Sequence, residues 1–248
     1  MLRIGRIPYL NCEPFFAHLR GFDPVPLHPR ALGRAVATGA LDAGPLSLVD
    51  FLSLGGDVAP LSFGIATAGP ATSVLLFSAR PLADLGGAVI GVTEETSTSV
   101  QILRLLLTLK YEAAPRAWVG ADETCDAVLL IGDRAIRALK SSPPFPHLTD
   151  LGSEWVRWTG LPCVFARWGV RASVPEAEQR AFERALDEAL DRGLAGLGEI
   201  AARRRDTGFD EHEVDAYLRG FTYRLGAEEE KAIAEFSRLR DLLEVGRC

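Results

Sequence analysis

Short apolar runs alternate with amphipathic stretches through the first two thirds of the chain, and this pattern predicts strands that run into helices. The apolar runs predict strands over 2–7, 41–46, 88–92 and 126–132. The stretches that follow predict helices beginning near residues 12, 47, 100 and 133. Further β-like runs lie at 25–28, 71–77 and 115–119. This rhythm is typical of an α/β fold.

From Pro175 onward the pattern becomes helical. Apolar residues recur at helical spacing over 176–192, and similar patterns cover 199–205, 211–220 and 227–243. The charges between them are interpreted as solvated faces.

A proline-rich segment at 141–146 and an aromatic segment at 155–168 interrupt the β-α rhythm. We expect the chain to cross back there to the unit it began with. The prediction is therefore a first lobe made of residues 1–82 and 160–248, and a second lobe made of residues 83–159.

Composition narrows the function classes. The chain has 248 residues, 48% of them hydrophobic, and a formal net charge of -6 with both signs mixed along the sequence. The chain can therefore bury a large core, as one big domain or two lobes, and it lacks the basic footprint that binds nucleic acid or an anionic membrane. No apolar run approaches the roughly 18 residues of a membrane span, and no targeting segment is recognised, so a cytoplasmic location is expected.

Metal, cofactor and triad chemistry find no support in the motifs. The phosphate loop, the dinucleotide fingerprint, the nucleophile elbow and the zinc helix motif are all missing. The four cysteines, Cys12, Cys125, Cys163 and Cys248, are interpreted as reduced thiols. The four histidines, His18, His28, His147 and His212, are interpreted as surface or packing residues. The three clustered tryptophans, Trp155, Trp158 and Trp168, are interpreted as packing aromatics. Cys12 at a helix N-terminus is a weak candidate nucleophile.

The candidate site lies where predicted strands meet helices. Four such junctions carry a small polar residue at the expected N-cap: Asn11, Ser47, Thr98 and Asp133. In a parallel sheet these junctions share the carboxyl edge, where ligands bind and where helix N-termini attract anions. Hydroxyls at 72–73 and 96–99 strengthen the prediction of a carboxylate site. Simple capping is the alternative for each residue, and it stays open.

Three segments of the chain carry a resemblance to a known family. They are Arg6-Ile7-Pro8-Tyr9-Leu10-Asn11-Cys12-Glu13-Pro14, Gly44-Pro45-Leu46-Ser47, and Trp158-Thr159-Gly160-Leu161-Pro162-Cys163-Val164-Phe165-Ala166. Together they resemble the chorismate dehydratases of the futalosine route to menaquinone, over residues 2 to about 170. The resemblance implies a two-lobed, periplasmic-binding-protein-like (type II) α/β fold with the C-terminal helices on the first lobe. It also implies a cytoplasmic lyase without a cofactor.

The implied reaction removes water from chorismate to give 3-[(1-carboxyvinyl)oxy]benzoate. On this hypothesis the substrate's enolpyruvyl carboxylate takes the C3 proton, and Asn11 orients the ring or the leaving hydroxyl as the catalytic residue. Ser47, Ser73, Thr98 and Ser99 are assigned to the substrate carboxylates, and Asp133 either caps its helix or accepts a hydrogen bond from the C4 hydroxyl.

The expected binding partner is this small dicarboxylate, and a homodimer is left open. The competing hypothesis is a non-catalytic cytosolic binding protein or sensor for a small carboxylate, because fold does not decide function.

Overall fold

The computed structural model describes residues 2–141 and 143–245. Its strands are β1 (Gly5–Arg6), β2 (Val25–Pro26), β3 (Ala43–Ser47), β4 (Val58–Thr67), β5 (Val74–Ser78), β6 (Val89–Val92), β7 (Ala117–Gly120), β8 (Ala127–Ile131), β9 (His147–Asp150), β10 (Cys163–Arg171) and β11 (Thr222–Arg224). Its α-helices are α1 (Glu13–Phe16), α2 (Pro29–Ala37), α3 (Leu48–Leu54), α4 (Thr98–Leu105), α5 (Gly132–Lys140), α6 (Leu151–Thr159), α7 (Glu176–Ala195), α8 (Leu197–Arg203), α9 (Glu211–Arg219) and α10 (Ala227–Val245).

The first sheet has the strand order β11-β4-β10-β3. Strand β10 runs antiparallel to both β3 and β4, so this sheet is not the parallel one that the β-α rhythm suggests. Strand β1 pairs with β2 in parallel, and the parallel bridge between Ile4 and Ala43 places β1 beside β3. The junctions after β1 and β3 therefore lie at the same edge.

The second sheet has the order β7-β6-β8-β5-β9. Strand β6 is parallel to β7 and β8, whereas β5 is antiparallel to β8 and β9. The junctions after β6 and β8 thus share an edge, as predicted. The predicted first lobe extends to residue 82, but β5 already belongs to the second sheet, so the chain leaves the first sheet after Thr67.

The C-terminal helices cover the first sheet. Helix α7 packs on α1, and α10 packs on β10. Trp168 is fully buried, with its ring centroid 5.4 Å from that of Phe15 and 5.7 Å from that of Phe182. The ring of Trp155 packs between those of Trp158 and Phe236. These contacts confirm that the tryptophans are packing residues.

One carboxylate joins the two connections between the sheets. Asp150 accepts hydrogen bonds from the backbone N–H groups of Ala71 at 2.9 Å and Thr72 at 2.6 Å in the first connection. The same carboxylate caps α6, at the start of the second connection, by accepting from the backbone N–H of Ser153 at 2.9 Å. The connections also touch directly, since a Cβ on Gly152 would lie 2.9 Å from the Gly69 carbonyl oxygen.

Several predicted elements differ in length. The predicted strand at 71–77 begins only at Val74, because Thr72 has φ +60° and does not continue an extended chain. The predicted helix from residue 12 is reduced to α1, and α4 ends at Leu105 and continues as a π-helical turn over Leu106–Lys110. No helix in the described ranges is both long enough and apolar enough to span a bilayer.

Candidate functional site

A cavity lies between the two sheets, and its empty space, counted out into open solvent, is about 520 Å³. Its walls are made by Ile7, Tyr9, Asn11, Cys12, Pro29, Ser47, Ile65, Ser73, Val74, Thr96, Ser97, Thr98, Ser99, Ile131, Gly132, Phe165 and Ala166. None of these described lining residues is Asp, Glu, His, Lys or Arg. The polar part of the wall consists of hydroxyls, one amide, a thiol and backbone groups.

The cavity brings together five of the six predicted site residues. Asn11, Ser47, Ser73, Thr98 and Ser99 all line it. They come from both sheets, because β1 and β3 belong to the first sheet system and β5 and β6 to the second. The convergence of strand-to-helix junctions on one cleft is therefore what the structure shows.

Asn11 is part of this wall but is not an N-cap. It is the middle residue of a 3-10 turn, Leu10–Cys12, whose own cap residue is Tyr9. The turn forms because the Cys12 N–H bonds to the Tyr9 carbonyl at 3.0 Å, which places Asn11 inside the turn. Its Oδ1 atom is buried and has no hydrogen-bond partner among the residues the structure describes. An unpaired buried acceptor in a cavity wall is available to a ligand, since leaving it unpaired is costly.

Ser47 is the N-cap of α3, as predicted. Its Oγ accepts from the backbone N–H of Asp50 at 3.1 Å. The same hydroxyl donates its proton to the Asp50 carboxylate at 2.7 Å. Ser47 is therefore committed locally both as donor and as acceptor.

Thr98 is not the N-cap of α4, in contrast to the prediction. It is the first residue of the helix, and the cap residue, Ser97, forms no side-chain capping bond. The Thr98 Oγ1 instead accepts from the backbone N–H of Val49 in α3, at 3.2 Å. This bond joins elements of the two sheets across the cleft and leaves the Thr98 hydroxyl proton for another acceptor.

Ser73 and Ser99 are both buried in the wall. The Ser73 hydroxyl accepts from Tyr217 Oη at 2.8 Å and donates to the Ala71 carbonyl at 3.3 Å. The second of these bonds is long, so the Ser73 proton is the more easily redirected to a ligand.

Asp133 stands apart from the cavity wall, and its predicted role as a helix cap is wrong. Helix α5 is preceded by Ile131 as its cap residue, without a side-chain capping bond, and Asp133 is in the first turn. Its Oδ1 accepts from the backbone N–H of Leu10 at 2.9 Å, and its Oδ2 pairs with Arg204. Burial raises the pKa of the Asp133 carboxyl, although the Leu10 amide and Arg204 act in the opposite direction.

Polar contacts close one side of the cleft. The Tyr9 hydroxyl donates to Glu95 Oε2 at 2.7 Å, and burial together with this bond raises the pKa of the phenol. The Arg30 guanidinium donates to the Thr96 carbonyl at 2.9 Å, and His28 Nδ1 lies 3.4 Å from Glu95 Oε1. These bonds run between the first and second sheet systems.

The thiols have no visible chemical role. Cys12, Cys125 and Cys163 are free cysteines, and Cys248 falls outside the described residues. Burial raises the pKa of Cys12, which removes it as a nucleophile. Within the described ranges, no group of three or more His, Cys, Asp or Glu side chains is placed to hold a metal ion.

Sequence reasoning missed three parts of the site. Tyr9 stands in the quoted N-terminal segment, but nothing in the pattern marks its contact with Glu95. Thr96 lies in the quoted hydroxyl run, yet only the structure shows that its Oγ1 is buried and finds no partner within the described chain. Arg204 lies in a charged stretch interpreted as solvated, whereas its side chain is only 13% exposed. A single charged residue in such a stretch carries no sequence signal of burial.

Comparison with protein families decides the assignment. Residues 2–241 match a family model described as menaquinone biosynthesis. This chain belongs to that family. Among curated proteins, a chorismate dehydratase from Thermus thermophilus is 32% identical to this chain, with 94% of this chain and 93% of that protein covered.

Solved structures show the fold. The protein AF1704 from Archaeoglobus fulgidus has a TM-score of 0.78 at 19% identity, covering 98% of both chains. The alkanesulfonate-binding protein SsuA from Xanthomonas axonopodis pv. citri, bound to MOPS, has a TM-score of 0.67 at 15% identity, covering 98% of this chain and 93% of that one. The periplasmic SsuA of Escherichia coli has a TM-score of 0.62 at 16% identity, covering 91% and 77%. This member of the menaquinone biosynthesis family therefore has the predicted periplasmic-binding-protein-like fold.

Proposed function

We propose that this protein dehydrates chorismate to 3-[(1-carboxyvinyl)oxy]benzoate. The observation that carries the proposal is the cavity between the sheets. Hydroxyls, a helix N-terminus and the unpaired Asn11 Oδ1 form its wall, and none of the lining residues that the structure describes has a charged side chain. The 32% identical chorismate dehydratase supports the choice of substrate.

The two substrate carboxylates need hydrogen-bond donors. The N-terminus of helix α4 has no side-chain cap, so its first backbone N–H groups stay available to a ligand. Thr96, Thr98 and Ser99 place buried hydroxyls around this helix end. Thr96 Oγ1 is unpaired within the described structure, and Thr98 keeps its proton available, so one carboxylate is assigned here. Ser73 is assigned to the other carboxylate. Ser47 shapes the wall and holds Asp50, and Asp133 is not assigned to direct contact.

The elimination needs a base that the wall does not supply. Among the described residues of the wall, the ionisable groups are the Tyr9 phenol and the Cys12 thiol, and burial raises the pKa of both. We therefore assign the base to the substrate's own enolpyruvyl carboxylate. It takes the proton from C3, the C3–H electrons form the new ring double bond, and the C4–O bond breaks. The carboxyl group passes the proton it took from C3 to the leaving hydroxide, which departs as water, so the carboxylate is regenerated and the ring becomes aromatic.

Asn11 serves the leaving group. Its amide N–H donates to the C4 oxygen as charge develops, and its Oδ1 accepts from the C4 hydroxyl in the bound substrate. The protein contributes orientation and charge stabilisation, and aromatisation provides the driving force.

The test is incubation of the purified protein with chorismate, with chromatography and mass detection of an aromatic product lighter by one water. Wild type should form it, and Asn11→Ala should not, while both have the same circular dichroism spectrum and bind the substrate. Ser53→Ala, on the exposed side of α3, is the control and should keep full activity. Binding without product by wild type would refute the lyase and support the sensor alternative.

A further inference from the structure

The turn that carries Asn11 is held from outside the cavity. Asp133, on the second-sheet side, accepts the backbone N–H of Leu10, the residue immediately before Asn11, at 2.9 Å. The Asp133 side chain is 9% exposed and does not line the cavity. The hydrogen bond between Leu10 and Asp133 is therefore a buried link between the two sheet systems, and Leu10 is the neighbour of Asn11, which carries the proposed catalytic amide.

Arg204 holds both sides of the same turn. One guanidinium nitrogen pairs with Asp133 Oδ2, and the other donates to Glu13 Oε1 at 2.7 Å. Glu13 follows the turn directly and also accepts from Arg6 at 2.6 Å. Arg204 thus holds both Asp133, which binds the first residue of the turn, and Glu13, which follows the last residue of the turn.

Asn11 does not fix itself. It forms no capping bond, and its Oδ1 has no partner in the described part of the chain. The backbone of Gly132, at the start of α5, packs directly against Tyr9, the cap residue of the turn. The packing is so close that a Cβ on Gly132 would lie 2.8 Å from the Tyr9 ring. The direction of the Asn11 amide is thus set by the backbone of a turn that other residues clamp.

We propose that Asp133, held by Arg204, is a positioning residue that aims Asn11 into the cavity when the second sheet lies against the turn. This inference rests on the proposed function, in which Asn11 contacts the leaving group. It deepens that function because Asp133 acts on catalysis through the Leu10 N–H and touches no reacting atom.

The test compares Asp133→Ala with the matched control Asp206→Ala. Asp206 is a third carboxylate on Arg204, with Oδ1 3.1 Å from its Nε, but it is 57% exposed, and its other ion-pair partner is Arg137 on α5. Because misplacement of about 1 Å can cost roughly 100-fold in rate, kcat of Asp133→Ala should fall by that order with KM changed less than about threefold. The control should stay within about twofold of wild-type kcat.

A second readout is independent of turnover. Asn11 is the single asparagine of the sequence, so labelling with side-chain ¹⁵N-asparagine gives one NH₂ signal pair. We expect this pair to shift or split in Asp133→Ala and to keep its wild-type position in the control. A purely structural role would lower thermal stability without moving kcat at saturation or the signal.

Two outcomes separate the inference from the function beneath it. Wild type that does not turn over chorismate refutes the proposed function. Active wild type together with an Asp133→Ala variant that retains kcat within about threefold overturns the positioning role alone. Asp133→Ser, which is polar but too short to reach Leu10, replaces the alanine variant if that protein does not fold, with the same expectation.

Discussion

Gly132 combines a left-handed backbone with a close neighbour, so one added methyl group should be harmful there for two separate reasons. Its φ is +58°, and an added Cβ would lie 2.8 Å from three atoms of the Tyr9 ring. The left-handed conformation alone costs an L-residue roughly 1–2 kcal/mol. Overpacking against the ring adds roughly 1–3 kcal/mol, because the ring lies between the turn and α5. Gly132→Ala should therefore lower the free energy of unfolding by about 2–5 kcal/mol.

The matched control for this substitution is Gly160→Ala. Gly160 also has a left-handed φ, +72°, but nothing lies within 4 Å of a Cβ placed there. It should cost only the conformational part, roughly 1–2 kcal/mol. Urea denaturation of the three proteins measures both losses, and the excess for Gly132 is the steric part. Placing both variants in a Tyr9→Ala background should remove that excess. Equal losses at the two glycines in the wild-type background would refute the steric argument.

Two further predictions concern a buried hydroxyl and a surface carboxylate. Ser73→Ala should raise KM about tenfold or more, because a hydrogen bond to a charged group of the substrate is lost, and it should leave the Tyr217 hydroxyl unpaired. The control is Ser78→Ala, which is equally buried on β5 but lies outside the cavity wall and should leave KM unchanged. An equal effect of the two substitutions on KM would contradict the assignment of Ser73 to the site. The hydrogen bond from Arg3 lowers the pKa of Asp42, so its stabilisation is present above the ordinary pKa of about 3.9 and is lost as pH falls through the lowered value. Wild type should exceed Asp42→Asn in unfolding free energy by about 1 kcal/mol at neutral pH and by nothing in strong acid; a difference independent of pH would contradict this account.

Much of the site was predictable because strand-to-helix junctions obey local rules. The apolar runs ending before Asn11, Ser47 and Thr98 set where each strand stops, and parallel neighbours bring their carboxyl ends together. The polar residues at these points therefore reached one cavity, although only Ser47 has the predicted capping bond.

The remaining features depend on contacts between distant parts of the chain. Asp133 has the sequence pattern of a helix cap, and its partners, Leu10 and Arg204, are 123 and 71 residues away. Asn11 also has a cap-like pattern, but the competing 3-10 turn takes it inside. The conformation at Asp133 and at Asn11 therefore could not be predicted from the few residues on either side of each.

Asp150 has a mechanical consequence for the cleft. It ties both inter-sheet connections to one carboxylate, so a rotation that separated the two sheets would have its natural axis at this point. Such a rotation breaks the Thr98–Val49 bond across the cleft and leaves the Asp150 bonds intact. Ser73 is one residue beyond Thr72, so such a rotation would displace its part of the wall less than the part around Thr98. A cleft opened about Asp150 would therefore keep the Ser73 side of a ligand site in place while the opposite contacts were lost.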